Sequence, residues 1–192
     1  MQIDKKSIRA QIAGRRAAID EAERTRQSEQ VAQVLSTLPE IQSAKIIGLY
    51  CAARGEMSCQ PLADALVALD CVIVYPRVID THARTMEFAI AESAAAFRPG
   101  PYGIPEPRGV SVDPTLIDVL VLPGLGFDTQ GGRLGYGAGY YDRLMPQMPQ
   151  ALRIGIGFDE QIVLTLPVQD HDIFMDMVIT SQGIVYRGKR IP

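Results

Sequence analysis

The sequence has few of the side chains that build disulfides, thiolate metal sites or nucleophile–base pairs. It contains three cysteines and two histidines in 192 residues. Cys51, Cys59 and Cys71 are odd in number and lack the CxxC spacing of a zinc site, which argues against both disulfides and structural zinc. Nothing in the sequence gives His82 or His171 a nucleophile to activate, so we assign both to structural or surface positions.

A strong charge of one sign and a long apolar run are also missing. The formal net charge is −3, whereas general nucleic-acid binding requires a basic domain. No apolar run approaches the roughly 18 residues of a membrane span, and the amino terminus is charged. We therefore expect a cytoplasmic protein with neither nucleic-acid nor membrane partners.

The length favours one domain. A chain of 192 residues can bury roughly 70% of its unfolded surface, enough for one substantial core. The sequence has no repeat, low-complexity tract or interdomain linker, so we interpret residues 1–192 as a single domain. The oligomeric state has no sequence signal, and a monomer is the default expectation.

The amino-terminal residues predict two helices. Residues 4–19 form the first. Asp20 and Glu23 give a capping-box-like start to the second, which runs to about Leu38 before Pro39.

The remainder of the chain predicts an α/β fold. Short apolar runs that predict strands occur at 46–50, 72–75, 119–122, 154–158 and 177–180. A helical stretch over 60–69 joins the first two strands, and this unit favours a right-handed parallel crossover. Residues 81–116 contain five prolines, and we interpret them as an extended, hairpin-like excursion that covers the site.

The segment at 123–143, PGLGFDTQGGRLGYGAGYYDR, is the richest in chemical information. Five glycines occur within nine of its residues: Gly131, Gly132, Gly135, Gly137 and Gly139. Glycine lets backbone N–H groups turn toward an anion, and a helix beginning near Gly139 would add its positive dipole end. The preceding apolar run would place this phosphate cradle at the carboxyl end of a strand, where α/β sheets bind ligands.

The glycine pattern by itself leaves an alternative open. It matches neither GxxxxGK[ST] nor GxGxxG, and glycines also form ordered surface turns. The specific string RLGYGAGYYDR, preceded by PGLGFD, resembles the 5-formyltetrahydrofolate cyclo-ligase family. Weaker motifs stand in the order of that family: Lys5 and Arg9, residues 50–56, GIPEP at 103–107, HD at 171–172 and DMVIT at 176–180. Cys59 stands where members often have Thr.

The resemblance implies a three-layer Rossmann-like fold, with a central mostly parallel sheet and helices on both faces. It also implies that ATP and 5-formyltetrahydrofolate are the small-molecule substrates and that Mg²⁺ is the cofactor. The residues implied to bind ATP are Lys5, Arg9, Arg133, Leu134, Gly135, Tyr136, Gly137, Ala138, Gly139, Tyr140 and Tyr141. Those implied to bind folate are Cys51, Glu56, Tyr136, Gly137, Ala138, Gly139 and Tyr140.

The basic residues of the first helix have two interpretations. Lys5 and Arg9 are four apart and share a helical face, which from spacing alone indicates a solvated surface. The resemblance instead implies that they contact the ATP phosphates. Arg15 and Arg16 lack such support, so we assign them to the surface.

The implied metal residues are Asp142 and Asp172. Magnesium binds through one or two carboxylates plus substrate phosphates, which two separate aspartates would suit. A helix first-turn acid is the alternative for Asp142 and a turn residue for Asp172, and Asp176 is the competing acid.

The implied reaction needs phosphate binders more than a nucleophile. The formyl group is an amide, so transfer of a phosphoryl group from ATP to its oxygen would create a leaving group. Arg133 and Lys5 are the expected catalytic residues, which stabilise charge on that phosphoryl group. The alternatives are a paralogue with the same nucleotide site but another substrate, a sugar-phosphate isomerase, and a non-catalytic nucleotide-binding module.

Overall fold

The computed structural model describes residues 5–91, 93–167 and 172–188. The helices are α1 (Lys5–Ala17), α2 (Glu21–Ser36), α3 (Pro39–Ser43), α4 (Gln60–Leu66) and α5 (Tyr140–Leu144). Short 3₁₀ helices lie at Ala94–Ala96, Pro101–Gly103, Pro114–Leu116, Met145–Gln147 and Asp159–Gln161. The strands are β1 (Ile46–Gly48), β2 (Val72–Asp80), β3 (Thr85–Ile90), β4 (Phe97–Pro99), β5 (Pro105–Pro107), β6 (Ser111–Val112), β7 (Val119–Pro123), β8 (Gly126–Asp128), β9 (Arg133–Leu134), β10 (Leu152–Ile156), β11 (Ile162–Val163), β12 (Met177–Thr180) and β13 (Gly183–Arg187).

Eight strands form the main sheet, in the order β13-β12-β10-β7-β1-β2-β3-β6. The central pairings, from β12 to β2, are parallel. The pairings at the two ends are antiparallel. Central parallel strands are covered on both faces and therefore read as continuous apolar runs, which is why β7 was recognisable in the sequence.

The sheet separates two cores. Val119 and Val121 of β7 pack with residues of α2, α3 and α4 on one face. Leu120 and Leu122 point to the other face and pack with Leu144 of α5 and its neighbours. Because successive strand residues face opposite sides, one short strand contributes to both cores. The predicted α/β class, with a mostly parallel sheet and helices on both faces, is confirmed.

A smaller three-stranded sheet, β11-β8-β9, was not predicted. Helix α1 packs here, where Ile8 and Ile12 are buried with Leu134 and Leu166. This contact brings the amino-terminal helix beside the glycine-rich segment. Across the described ranges, no helix combines the length and apolarity needed to cross a membrane.

The excursion over 81–116 is partly as predicted. It contains β3, the β4–β5 hairpin and β6, but β3 also belongs to the main sheet, where it pairs with β2 over residues 74–80. This pairing extends β2 to Asp80, five residues beyond the predicted strand end. The hairpin contributes to the site described next.

Candidate active site

A cavity of about 270 Å³ lies where β1 and β7 end. Its lining from the turn after β1 is Tyr50, Cys51, Ala53, Arg54 and Glu56, and from the glycine-rich segment it is Arg133, Gly135, Tyr136, Gly137, Ala138, Gly139, Tyr140, Tyr141 and Asp142. All the residues expected to bind folate are therefore gathered around one cavity.

The five glycines divide into two groups. Gly131 and Gly132 form the turn between β8 and β9, where the Gly132 N–H donates to the Asp128 carboxylate at 2.7 Å. Asp128 is buried and also accepts the Leu166 N–H at 2.9 Å, so this turn is part of the framework. The predicted phosphate cradle would therefore be confined to residues 135–139.

The loop at 135–139 needs glycine at two positions. Gly137 has φ of 94° and Gly139 has φ of 74°, left-handed backbone that other residues adopt only with strain. Gly139 also precedes α5, as predicted, but α5 has only five residues. A helix this short has only a small dipole. The positive potential for a bound phosphate would therefore come mostly from the backbone N–H groups of the loop and from nearby cations.

Helix α1 contacts the glycine loop through Arg9. Arg9 Nε donates to the Gly135 carbonyl at 3.1 Å. Lys5 Nζ lies 2.8 Å from Asp172 Oδ2. Neither cation lines the cavity, so Arg9 contacts the loop outside the cavity. Leu134 is buried against α1, so its side chain faces away from any ligand in the loop.

Arg133 and Asp142, assigned to phosphate and metal respectively, contact each other. Arg133 donates through Nη2 to Asp142 Oδ1 at 2.9 Å and through Nη1 to the Pro123 carbonyl at 3.1 Å. The Arg133 side chain is only 6% exposed, whereas that of Asp142 is 49% exposed. The guanidinium is thus fixed at the end of β7, and the acid lies at the mouth of the cavity.

Glu56 is a largely buried carboxylate. Its Oε2 accepts the Ala53 N–H at 3.0 Å. Burial raises the pKa of Glu56, while the Ala53 N–H, the Tyr136 hydroxyl, Arg16 and Arg54 each lower it. These donors allow a carboxylate to be held in an otherwise apolar site.

The surface assignment of Arg16 is wrong. Arg16 is buried, donates to the Tyr136 hydroxyl, and donates to the Arg54 carbonyl at 2.9 Å. It lies four residues after Ile12 and eight after Ile8, on the buried stripe of α1. This spacing predicts a buried position, but a pattern defined by apolar residues does not include an arginine. Arg15 is exposed, as expected.

The cavity wall near Glu56 is dominated by groups that burial keeps neutral. Burial and the nearby Glu106 carboxylate raise the pKa of Cys51 to about 11. Burial raises the pKa of Tyr136 to about 12 and that of Tyr141 further. Cys59 is buried at the start of α4 and does not line the cavity. These neutral groups can contact a flat heterocycle without competing for its N–H donors.

The predicted excursion over 81–116 contributes another part of the wall, but its individual residues were not predicted. With two residues of β2, this part consists of Pro76, Val78, Met86, Pro101, Tyr102, Ile104 and Glu106. The Tyr102 and Tyr140 hydroxyl oxygens lie 3.0 Å apart, joining this wall to the glycine loop. The GIPEP motif at 103–107 was the available signal, since three of these residues lie in or beside it.

The remaining candidate residues lie outside the cavity. Asp176 is buried and pairs through both oxygens with Arg153, at 2.8 and 3.0 Å. His82 is exposed in the turn after β2, and His171 lies outside the described residues. Within the described part of the chain, no three acidic, histidine or cysteine side chains converge as a preformed metal site.

Comparison with known proteins agrees with this architecture. The NMR structure of Aquifex aeolicus 5,10-methenyltetrahydrofolate synthetase is similar, with a TM-score of 0.86 and 32% identity over 98% of this chain and 94% of that chain. A 5,10-methenyltetrahydrofolate synthetase from Mycoplasma pneumoniae has a TM-score of 0.77 at 26% identity, covering 93% of this chain and 99% of that chain.

Sequence relatives extend from bacteria to mammals. The 5-formyltetrahydrofolate cyclo-ligase of Mus musculus is 27% identical over 187 residues, covering 91% of this chain and 92% of the relative. The cyclo-ligase of Escherichia coli K12 is 29% identical over 179 residues, covering 90% and 98%. The profile of the 5-formyltetrahydrofolate cyclo-ligase family matches residues 1–181. The chain therefore belongs to the 5-formyltetrahydrofolate cyclo-ligase family.

Proposed function

We propose that this protein converts 5-formyltetrahydrofolate to 5,10-methenyltetrahydrofolate with consumption of MgATP. The observation that best supports this is the position of the 135–139 loop. Residues of the loop line the cavity that contains Glu56, and Arg9, which does not line that cavity, contacts the loop at the Gly135 carbonyl. A folate in the cavity and a nucleotide beside Arg9 would then both contact this one loop, with the γ-phosphate directed at the formyl group.

The chemistry explains why two sites must meet. The formyl oxygen attacks the γ-phosphorus of ATP, the bond from that phosphorus to ADP breaks, and an N5-iminium phosphate forms. N10 then attacks the formyl carbon and loses its proton, the carbon–oxygen bond to phosphate breaks, and 5,10-methenyltetrahydrofolate, ADP and phosphate result. The protein acts by positioning and by neutralising charge.

The cations divide by location. Lys5, Arg9 and the backbone N–H groups of residues 135–139 would bind the ATP phosphates. Arg133 would lie nearest the transferring phosphoryl group, because its guanidinium is held by the Pro123 carbonyl at the cavity wall. A planar, permanently charged group fixed before the reaction stabilises developing phosphate charge without reorganising.

The acids suit Mg²⁺ that arrives with ATP. Asp142 and Asp172 pair respectively with Arg133 and Lys5, the two cations that we assign to phosphate. On MgATP binding, the two acids would turn to Mg²⁺ and Lys5 to phosphate oxygens, while Arg133 would stay held by the Pro123 carbonyl. Magnesium is commonly bound in this way, through one or two carboxylates plus phosphates.

A coupled spectrophotometric assay tests the function. Methenyl product should form in proportion to ADP, and only when 5-formyltetrahydrofolate, ATP and Mg²⁺ are all present. ADP release without folate would indicate a paralogue or a simple ATPase, and turnover without ATP would indicate an isomerase. Nucleotide binding without any turnover would indicate a binding module.

The metal assignment predicts that replacing Asp142 or Asp172 changes the Mg²⁺ requirement of the enzyme, whereas replacing Asp176 does not. We expect Asp142→Asn and Asp172→Asn each to raise the Mg²⁺ concentration for half-maximal turnover by about 10- to 100-fold. Excess Mg²⁺ should partly restore the rate. Both acids are partly exposed, so their variants should melt close to the parent.

Asp176→Asn is the matched control. It breaks a buried ion pair with Arg153, which typically costs about 3–5 kcal/mol of stability. Its Tm should fall while the Mg²⁺ requirement of the folded enzyme is unchanged. If Asp142→Asn and Asp172→Asn instead melt early and excess Mg²⁺ restores neither, both acids are structural.

A further inference from the structure

Glu106 is a buried carboxylate with an unfilled acceptor position. It is 4% exposed, and its Oε1 accepts the Val78 N–H at 3.0 Å. In the described part of the chain, no donor contacts its Oε2 and no lysine or arginine pairs with it. The other buried acids differ: both oxygens of Asp128 accept backbone N–H groups, and both oxygens of Asp176 contact Arg153.

A carboxylate that is 4% exposed and has no cation beside it is costly to bury, so it needs an explanation. Glu106 lines the same cavity as Glu56 but belongs to a different element, the β4–β5 hairpin. Its charge also acts on Cys51, which lies in the turn after β1. The carboxylate is therefore directed toward the interior of the cavity.

We infer that Glu106 is a second folate-binding carboxylate, whose Oε2 accepts a hydrogen bond from an N–H group of the reduced pterin. This inference rests on the proposed function and names a further binding residue for it. A reduced pterin carries N–H donors on both of its rings: the 2-amino group and N3–H on the pyrimidine ring, and N8–H on the reduced ring. One carboxylate cannot contact both edges of the pterin, so Glu106 would bind the edge that Glu56 does not contact.

Gly100 leaves the space that the Glu106 carboxylate occupies. A Cβ at Gly100 would lie 2.3 Å from Glu106 Cδ and 2.7 Å from its Oε1. Gly100 has φ of −103°, which alanine adopts readily. Alanine at this position would therefore displace the carboxylate by contact alone, without straining the backbone.

The first test is Glu106→Gln. A glutamine side chain has an acceptor oxygen at only one of its two terminal positions, so it cannot accept from Val78 at one position and from the pterin at the other. We expect the Kd for 5-formyltetrahydrofolate, measured calorimetrically, to rise by about 10- to 150-fold, the range for a lost hydrogen bond to a charged group. The Kd for ATP should change less than about twofold, which is below about 0.5 kcal/mol. Glu29→Gln, which removes an exposed charge on α2, should change neither affinity.

The second test is a double-mutant cycle with Gly100→Ala. In the parent, this substitution should weaken folate binding by at least about tenfold. In a Glu106→Ala background, which lacks the atoms that the added methyl group would contact, it should have no further effect. Equal effects in both backgrounds would overturn the role of the carboxylate.

The outcomes separate this inference from the proposed function. If the parent neither binds nor converts 5-formyltetrahydrofolate, the proposed function fails. If the parent does both and Glu106→Gln has parental folate affinity, only the inference fails. A Glu106→Gln protein that loses affinity for ATP and folate equally, with a lowered Tm, would show that Glu106 is structural.

Discussion

Glu56→Gln is expected to raise the Kd for 5-formyltetrahydrofolate by about 10- to 150-fold and to change the Kd for ATP by less than about twofold. Glu56 lines the cavity, whereas Arg9 of α1 contacts the glycine loop from outside it. Gln keeps the shape of the side chain but loses the charge that strengthens hydrogen bonds from pterin N–H groups. Calorimetric titration of each ligand separates the two affinities.

The pH dependence gives a second measurement on the same variant. Burial raises the pKa of Glu56 above its usual value, and only the ionised form accepts hydrogen bonds at both oxygens. The kcat/KM for folate should therefore fall as the pH drops through this raised pKa. This fall of kcat/KM at low pH, the acid limb of the pH profile, should be absent for Glu56→Gln.

The stability of Glu56→Gln should not fall at neutral pH. Because the folded-state pKa of Glu56 is raised, its contribution to stability is full below the unfolded pKa and is lost as the pH rises through the folded pKa. At pH 7 the charged group favours the unfolded chain, so a neutral Gln should leave Tm unchanged or higher. A strong loss of Tm would contradict a ligand-binding role.

Arg9→Ala is expected to have the opposite ligand dependence to Glu56→Gln. Arg9 contacts the glycine loop from outside the cavity, so its loss should weaken ATP binding and spare folate binding. Arg133→Ala should also weaken ATP binding, but with a lower Tm, because Arg133 donates to the Pro123 carbonyl and to Asp142. Parental folate affinity in Glu56→Gln would remove the pterin assignment and favour a paralogous substrate.

The sequence predicted the parts of the fold that have a strong local signal. The apolar run of β7 and the capped start of α2 at Asp20 both appear as expected. The small sheet was missed because β9 and β11 have only two residues each, and β11 pairs with β8 across more than thirty residues of chain. Pairings this short and this distant leave no periodicity to detect.

In the candidate site, too, residues with a recognisable sequence motif were predicted and residues without one were not. The string at 133–143 and Glu56 were found because they resemble a known family, and both lie at the cavity. Glu106 stood in a motif whose role was not assigned, because its significance depends on burial and on an unfilled acceptor position. Neither property can be read from a residue type alone, since most glutamates are exposed.

Arg16→Gln is expected to lower the kcat/KM for folate by about 10- to 150-fold, although Arg16 itself does not line the cavity. Arg16 donates to the Tyr136 hydroxyl and to the Arg54 carbonyl, and so fixes the two segments on either side of Glu56. Its role is to position the carboxylate, so the KM for ATP should stay within about twofold of the parent.

The acid limb distinguishes positioning from a general loss of stability. The titratable and polar groups that interact electrostatically with Glu56 are Arg16, Arg54, the Ala53 N–H, and the hydroxyl or thiol groups of Tyr50, Cys59, Tyr136 and Tyr141. Among them, Arg16 lowers the pKa of Glu56, so its replacement by neutral Gln should raise that pKa further. The acid limb of kcat/KM should then move to higher pH, whereas partial unfolding would lower the rate at every pH without moving the midpoint.

Two further variants complete the test of Arg16. Arg16→Lys keeps the positive charge but cannot donate two fixed, planar hydrogen bonds, so it should restore the pH midpoint and only part of the rate. Arg15→Gln removes a neighbouring but exposed charge and should match the parent in rate, midpoint and Tm. If Arg16→Gln lowers Tm but keeps the parental midpoint and KM for folate, Arg16 only stabilises the fold, and Glu56 is positioned by Ala53 and Tyr136 without it.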